Sequence, residues 1–350
     1  MSYERSGIKD MNGYASGEQP TRPDVIKLNT NENPYPAGPS VKAALQACRV
    51  EDLRRYPPPL ATDFRAVAAR LHGLEPDNII ATNGGDELLR LAITTFVNPG
   101  EAIGIAEPSY SLYPVLAAIQ GCPLVRIPLL NDWSLPVDYA QQLNAAGAKL
   151  AFIVNPHAPS GTLTPVSVLA RLATEFSGVL LIDEAYVDFV DPDCHYDAVA
   201  LVKTLDNVLI LRTMSKGYSL AGLRFAYGLG AKSLLHPMLY KTRDSYNTDF
   251  LSQTLATAAL SAQAEAAISW EKVRLERSRV RDALTALGFR CAPSQSNFLL
   301  AEITQTEPGS KAEKLAASLY ERLKAAGILI RYFNQPGLRD KLRISIGTAQ

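Results

Sequence analysis

The sequence predicts an α/β fold: a mostly parallel sheet covered by helices on both faces in a large domain, with a smaller α+β domain and an N-terminal arm. Three observations predict it. Between residues 78 and 230, short and continuously apolar runs alternate with helix-length segments, the pattern of strands buried on both faces. After about residue 250 the pattern changes to long helical stretches and clustered strands, as in an α+β unit. Residues 1–24 carry Gly, Ser, Pro and charge without any period. The expected division is an arm over 1–24, a large domain over 41–264, and a small domain made from 25–40 and 265–350.

The elements follow in order. Val25-Ile26-Lys27-Leu28 is a short strand leading into the loop Asn29-Thr30-Asn31-Glu32-Asn33-Pro34-Tyr35. Ser40 can cap a helix to about Cys48. Arg55-Tyr56-Pro57-Pro58-Pro59 lacks the N–H groups a helix needs and reads as extended. Asp63 to Leu71 is helical and stops near Gly73. Strands are expected at Asn78–Ala81, Ala102–Ala106, Leu124–Ile127, Leu150–Val154, Val179–Ile182, Val208–Leu211 and Phe225–Leu229. Helices are expected between them at Leu88–Phe96, Tyr110–Ile119, Val137–Ala145 and Thr164–Phe176, the last with Pro165 at its start. A helical stretch from Leu251 to about Leu287 breaks near Ala262. Asn297–Leu300, a helix Lys311–Ala325, Ile328–Arg331 and Leu342–Ile346 complete the chain.

Composition narrows the function. The 350 residues carry 35 basic and 35 acidic side chains and no basic stripe, which argues against a nucleic-acid partner. The polar segment Met1 to Asn12 has no apolar signal-peptide core. The longest aliphatic runs are strand-sized, far short of the roughly 18 residues of a membrane span. Cys48, Cys122, Cys194 and Cys291 are scattered, as for reduced thiols in a cytoplasmic protein. His72, His157, His195 and His236 show no metal-ligand spacing, so no metal is expected, and His157 reads as a loop residue. There is no internal repeat.

In an open parallel sheet, ligands bind beyond the carboxyl ends of the strands. The polar residues that end the apolar runs therefore carry the chemistry. Lys216 closes the turn after Asn207-Val208-Leu209-Ile210-Leu211. A lysine there is partly desolvated, which favours its neutral, nucleophilic amine. Ser215 and Arg224 supply a hydroxyl and a planar cationic fork suited to phosphate. A lysine amine beside phosphate donors is what pyridoxal 5′-phosphate (PLP) requires. Asp183 ends another strand and can pair with a pyridinium nitrogen, and Tyr186 can donate to the ring oxygen. Asn155, held extended by Pro156, can donate to the same oxygen. Gly84-Gly85-Asp86 opens a helix whose free N–H groups and dipole favour an anion. Tyr110 can stack on a ring, and Arg343, inside an apolar strand, calls for an anion such as a carboxylate. Tyr14 and Tyr56 lie in non-periodic segments and can reach into a site, the chain's own or a neighbour's. Each residue also has an ordinary structural explanation: a solvated loop lysine, a capping carboxylate, a simple turn, a core tyrosine, an internal salt bridge.

Taken together, the motifs resemble those of the fold-type I PLP-dependent aminotransferases, class II subfamily, and are similar in particular to the histidinol-phosphate aminotransferases. The carriers are Asn29–Tyr35, Arg55-Tyr56-Pro57, Asn83–Glu87, Glu107-Pro108-Ser109-Tyr110, Asn155–Gly161, Asp183-Glu184-Ala185-Tyr186, Thr213–Lys216 through Ala221–Arg224, and Leu342–Thr348. Ser16 stands where the family often has Pro before the Gly of its arm. The resemblance implies that Lys216 is the Schiff-base lysine and moves the Cα proton. Asp183 would pair with the ring nitrogen, Asn155 and Tyr186 with the ring hydroxyl, and Tyr110 would stack. Gly84, Gly85, Asp86, Ser215 and Arg224 would surround the phosphate, with Tyr56 entering from the other subunit of a homodimer. Tyr14, Asn33, Arg331, Arg343 and Tyr246 would bind substrate, Arg343 through a carboxylate. The implied reaction is ping-pong transamination between histidinol phosphate and 2-oxoglutarate in histidine biosynthesis. An aromatic amino-acid aminotransferase and threonine-phosphate decarboxylase share most of these motifs. A PLP-binding regulator would need a DNA-binding helix-turn-helix, and none precedes residue 25.

Overall fold

Side chains alternate between the faces of a strand, so a continuously apolar run has to be covered on both. The computed structural model describes residues 3–20, 22, 24–304 and 311–350; positions 1, 2, 21 and 23 of the expected arm and 305–310 of the expected small domain lie outside the described residues. In chain order its strands are β1 (Ile26–Lys27), β2 (Ile79–Thr82), β3 (Ile103–Glu107), β4 (Leu124–Pro128), β5 (Leu150–Val154), β6 (Val179–Asp183), β7 (Val208–Thr213), β8 (Ala226–Gly230), β9 (Phe289–Cys291), β10 (Phe298–Ile303), β11 (Ile328–Leu329), β12 (Arg331–Tyr332) and β13 (Lys341–Ser345).

Seven of these form the central sheet in the order β2-β8-β7-β6-β5-β3-β4. β8 runs against both of its neighbours, and every other pairing in the sheet is parallel. The alternation is visible in the two cores. Ala151, Ile153, Leu180, Ile182, Val208 and Ile210 join one core, with the helices Thr62–His72, Tyr139–Ala145, Val166–Glu175 and Phe250–Ser261 over it. Leu150, Phe152, Val154, Leu181, Leu209 and Leu211 join the other, under the helices Gly85–Phe96, Leu112–Gln120 and Lys232–Pro237. Each fully buried Leu, Ile or Phe contributes about 1.5–3 kcal/mol. The middle of the sheet is thus the part least able to move, and the strand ends are firm mounting points.

The chain beyond residue 250 builds a different unit. The long helical stretch is two helices, Phe250–Ser261 and Gln263–Ala286, separated at Ala262. Asp249 caps the first by accepting the Ser252 N–H at 2.8 Å. β12, β13, β10 and β9 form an antiparallel sheet. Ile328–Arg331, expected as one strand, is divided: β11 pairs with β1, while β12 turns to pair with β13. Its two halves have different edges to satisfy. Tyr110, expected to begin a helix, remains in the loop after β3, and the helix starts at Leu112. β9 was too short to show alternation in the sequence. No helix among the described residues is long and apolar enough to cross a membrane.

Candidate active site

A cavity of about 280 Å³ opens beyond the carboxyl ends of the parallel strands. The strands position its floor. Alternation sends Asp183, Leu211 and Thr213 toward the cavity and Arg212 to the opposite face. The turn after β7 then brings Ser215 and Lys216 into the wall. Gly217 follows Lys216 because Asp188 occupies the place a Cβ would take.

Lys216 Nζ donates to the Thr30 carbonyl at 2.9 Å. Burial, helped by the nearby Arg343 and Arg224 cations, lowers its pKa from 10.5 to about 8, with Glu32 opposing. Asp183 behaves conversely. Burial raises its pKa to about 6, although two donors favour its ionised form: the Tyr113 hydroxyl at 2.9 Å and the Ala185 N–H at 3.1 Å. A buried carboxylate left in that condition suits a cationic ligand group.

Two ends of the cavity suit anions. At one, Gly84 precedes the helix Gly85–Phe96 with φ +79° and no side-chain cap. The Arg224 guanidinium lies over it, 2.7 Å from where a Gly84 Cβ would stand. Gly85, Asp86, Ser215 and Arg224 line this end. At the other end, Arg343 is held between the rings of Phe298 and Phe333, at 5.2 and 5.4 Å. Its Nη2 donates to the Asn29 carbonyl at 3.0 Å, and its buried Nε has no partner among the described residues. Burial lowers its pKa, and neighbouring Arg331 adds repulsion. Among the described residues no carboxylate forms an ion pair with Arg224, Arg331 or Arg343. A desolvated Arg343 beside a part-buried Arg331, and an exposed Arg224 over a helix N-terminus, form receptors for phosphate or carboxylate. Among the described residues no group of three or more His, Cys, Asp or Glu side chains is placed to hold a metal.

Of the residues singled out in the sequence, Tyr14, Gly85, Asp86, Tyr110, Asp183, Tyr186, Ser215, Lys216, Arg224, Arg331 and Arg343 meet at this one cavity. Gly84 lies directly beneath Arg224. Asn155 does not reach it. Its Nδ2 donates to the Thr164 carbonyl at 3.0 Å and the Tyr196 hydroxyl at 2.9 Å, and its Oδ1 accepts the Thr164 N–H. Both amide hydrogens are therefore committed below the floor. Asn33 instead braces the turn after Lys216, donating to the Gly217 carbonyl at 3.2 Å and to Ser269. Tyr56 and Tyr246 stack on each other at 4.4 Å, both exposed and outside the cavity.

Sequence reasoning missed several supports. Tyr113 holds Asp183, and Asn31 donates to the Tyr186 hydroxyl at 3.1 Å. Phe298 and Phe333 frame Arg343. Tyr113 falls three positions after Tyr110 on the helix face that carries Leu116, a hint of burial but not of its hydroxyl's partner. Behind the floor, Tyr196 donates to Glu184 at 2.7 Å, and Glu184 accepts Arg212 Nε at 2.7 Å.

Comparison with known proteins points the same way. The family pattern of aminotransferase class I and II matches residues 23–350. Histidinol-phosphate aminotransferase 1 of Trichormus variabilis is 44% identical over 99% of this chain and 95% of its own length. Histidinol-phosphate aminotransferase of Rhodopirellula baltica is 40% identical over 99% of this chain and 92% of its own. The crystal structure of histidinol-phosphate aminotransferase from Sinorhizobium meliloti in complex with pyridoxal-5′-phosphate superposes with a TM-score of 0.85 at 25% identity, covering 93% of this chain and 87% of that one.

Proposed function

This chain belongs to the class I and II aminotransferases, and we propose that it exchanges the amino group between histidinol phosphate and 2-oxoglutarate, as a step of histidine biosynthesis. The observation that carries the reading is a part-buried lysine with a lowered pKa in the same cavity as two cationic ends, at Arg224 and at Arg343, that no carboxylate pairs with among the described residues. One end suits a cofactor phosphate, the other the anionic groups of the substrates.

The residues fit PLP, which when bound supplies the electron sink for the pair left at substrate Cα. The helix N-terminus at Gly85 and Asp86, with Ser215 and Arg224, holds its phosphate. Asp183, whose ionised form the Tyr113 hydroxyl and the Ala185 N–H favour against the effect of burial, would pair with the ring nitrogen. Tyr186 would bind the ring oxygen and Tyr110 would cover the ring. Asn155 supports this floor from below, since its amide is already spent. The Lys216 amine would take the proton from substrate Cα and hold it for return in the second half of the transfer. Arg343 grips the carboxylate of glutamate or 2-oxoglutarate bidentately. Arg331 and Tyr14 receive the phosphate of histidinol phosphate. Asn33 keeps the Lys216 turn in place.

The stacked pair Tyr56 and Tyr246 lies outside its own cavity, and we assign it to the cavity of a second copy in a homodimer. The four cysteines are free thiols, which suits the reducing cytoplasm.

The test offers the purified, PLP-loaded enzyme histidinol phosphate, phenylalanine, tyrosine and threonine phosphate, each with 2-oxoglutarate, and follows glutamate and carbon dioxide together. Histidinol phosphate should give the highest kcat/KM, with glutamate formed and no carbon dioxide released. Carbon dioxide from threonine phosphate without glutamate would make the protein a lyase. A higher kcat/KM for phenylalanine or tyrosine would make it an aromatic aminotransferase.

A further inference from the structure

The geometry points to His157 as a positioning residue: it clamps together the two strand-end loops that wall the cavity and thereby fixes Tyr110 over the floor. The inference rests on the reading of Tyr110 as the residue that covers the cofactor ring.

His157 sits in the loop after β5 and is almost wholly buried. One ring nitrogen, Nε2, is 2.9 Å from the Pro108 carbonyl in the loop after β3. The other, Nδ1, is 2.7 Å from the Ser160 hydroxyl in its own loop. A carbonyl only accepts, so Nε2 carries the hydrogen and Nδ1 accepts from Ser160. Burial pushes the ring's pKa down to about 4, against the pull of the Pro108 carbonyl, so this neutral tautomer persists across the working pH range. Among the described residues no other hydrogen bond joins the two loops. The one that starts at Pro108 presents Ser109, Tyr110 and Ser111 to the cavity; the one that contains His157 presents Ala158 and Pro159. Tyr110 is two residues from the carbonyl His157 holds. The Tyr110 ring also meets Tyr113 edge-on at 5.5 Å and Tyr14 edge-on at 5.9 Å. Its position is set by packed rings and by a hydrogen-bonded loop.

The experiment uses PLP-loaded enzyme and reads PLP dissociation and the circular dichroism of the bound chromophore, which reports how the ring lies against its neighbours. Asparagine at 157 can stay near Ser160 but cannot reach Pro108, whereas glutamine can. His157→Asn should weaken PLP binding about tenfold, the scale of one buried hydrogen bond lost with its partner left unsatisfied. It should also move the dichroism toward that of Tyr110→Ala. His157→Gln should restore most of both. Combined with Tyr110→Ala, His157→Asn should add nothing. Ser160→Ala, which frees the ring to turn, should shift the dichroism in the same direction and serves if the asparagine variant does not fold. A His157→Asn enzyme with lowered Tm but parental PLP affinity and dichroism would make His157 a core filler, and an additive double variant would deny that it acts through Tyr110. Parental behaviour of Tyr110→Ala itself would instead remove the stacking role on which the inference rests.

Discussion

Lys216 and Asp183 both sit in surroundings that disfavour their charged forms, and both belong to the same floor. For the lysine the sign is clear. Its pKa in the folded protein, about 8, lies below the 10.5 of an exposed lysine. Below pH 8 the folded, cofactor-free chain bears the cost of a buried ammonium group. That cost is relieved as pH rises from 8 toward 10.5, so this group makes the cofactor-free protein more stable over that window. The same shift governs reactivity. Amine-directed labelling of Lys216 in cofactor-free protein, followed by peptide mass spectrometry, should rise with a midpoint near 8; a midpoint above 10 would contradict the burial argument. Asp183→Ala should lower kcat by about 100-fold or more, the usual effect of removing a charge aimed at the reacting system. Measured kcat near the parent's would show that the carboxylate does not face the ring. Lys216, Asp183 and Arg343 could be singled out in the sequence because each follows, ends or lies within an apolar run; each alone also had an ordinary structural explanation, and only their joint placement at strand ends set them apart. Tyr113 and Tyr196 were not, because Asp183 and Asn155, their partners, lie 70 and 41 residues away in the chain and only the folded sheet brings them together.

The ends of the helices and strands are what hold these residues in place. Gly84 takes φ +79° under Arg224 and leads into the helix Gly85–Phe96. Gly84→Ala meets both backbone strain of about 1 kcal/mol and the guanidinium itself. PLP affinity should fall about tenfold or more through the displaced Arg224, while the Tm changes by a few degrees; unaltered affinity, measured by absorbance titration, would mean that Arg224 does not hold the phosphate. Arg277 does comparable work for the helix Gln263–Ala286. Its buried guanidinium donates to the carbonyls of Phe189 and Ser296 at 2.9 Å and to Asp191 at 2.7 Å, joining that helix to the loop beyond β6. Arg277→Met should cost about 3 kcal/mol by chemical denaturation, mostly from two carbonyls left unsatisfied; a loss below about 1 kcal/mol would place those carbonyls in contact with water. The sequence located the break at Ala262, because helical spacing lapses there. It did not show the reversed direction of β8 or the division of Ile328–Arg331. Strand direction and partner choice are properties of the assembled sheet, not of a single run of residues.

At the scale of the whole molecule, the cavity draws on the arm through Tyr14, on the parallel sheet through Asp183 and Lys216, and on the C-terminal sheet through Arg331 and Arg343. Tyr56 and Tyr246 remain as a stacked pair outside it. If Tyr56 serves the site of a second copy, Tyr56→Ala and Lys216→Ala enzymes, each impaired alone, should regain activity when their subunits are mixed and allowed to exchange. A hybrid dimer then contains one complete site, and random pairing returns about a quarter of parental activity. No recovery despite demonstrated subunit exchange would confine Tyr56 to its own chain. The function proposed for this cavity requires one covalent attachment, and the most direct measurement is borohydride reduction of the PLP-loaded protein followed by proteolysis and mass mapping. The pyridoxyl group should be found on Lys216; its recovery on another lysine, or on none, would contradict the site described here.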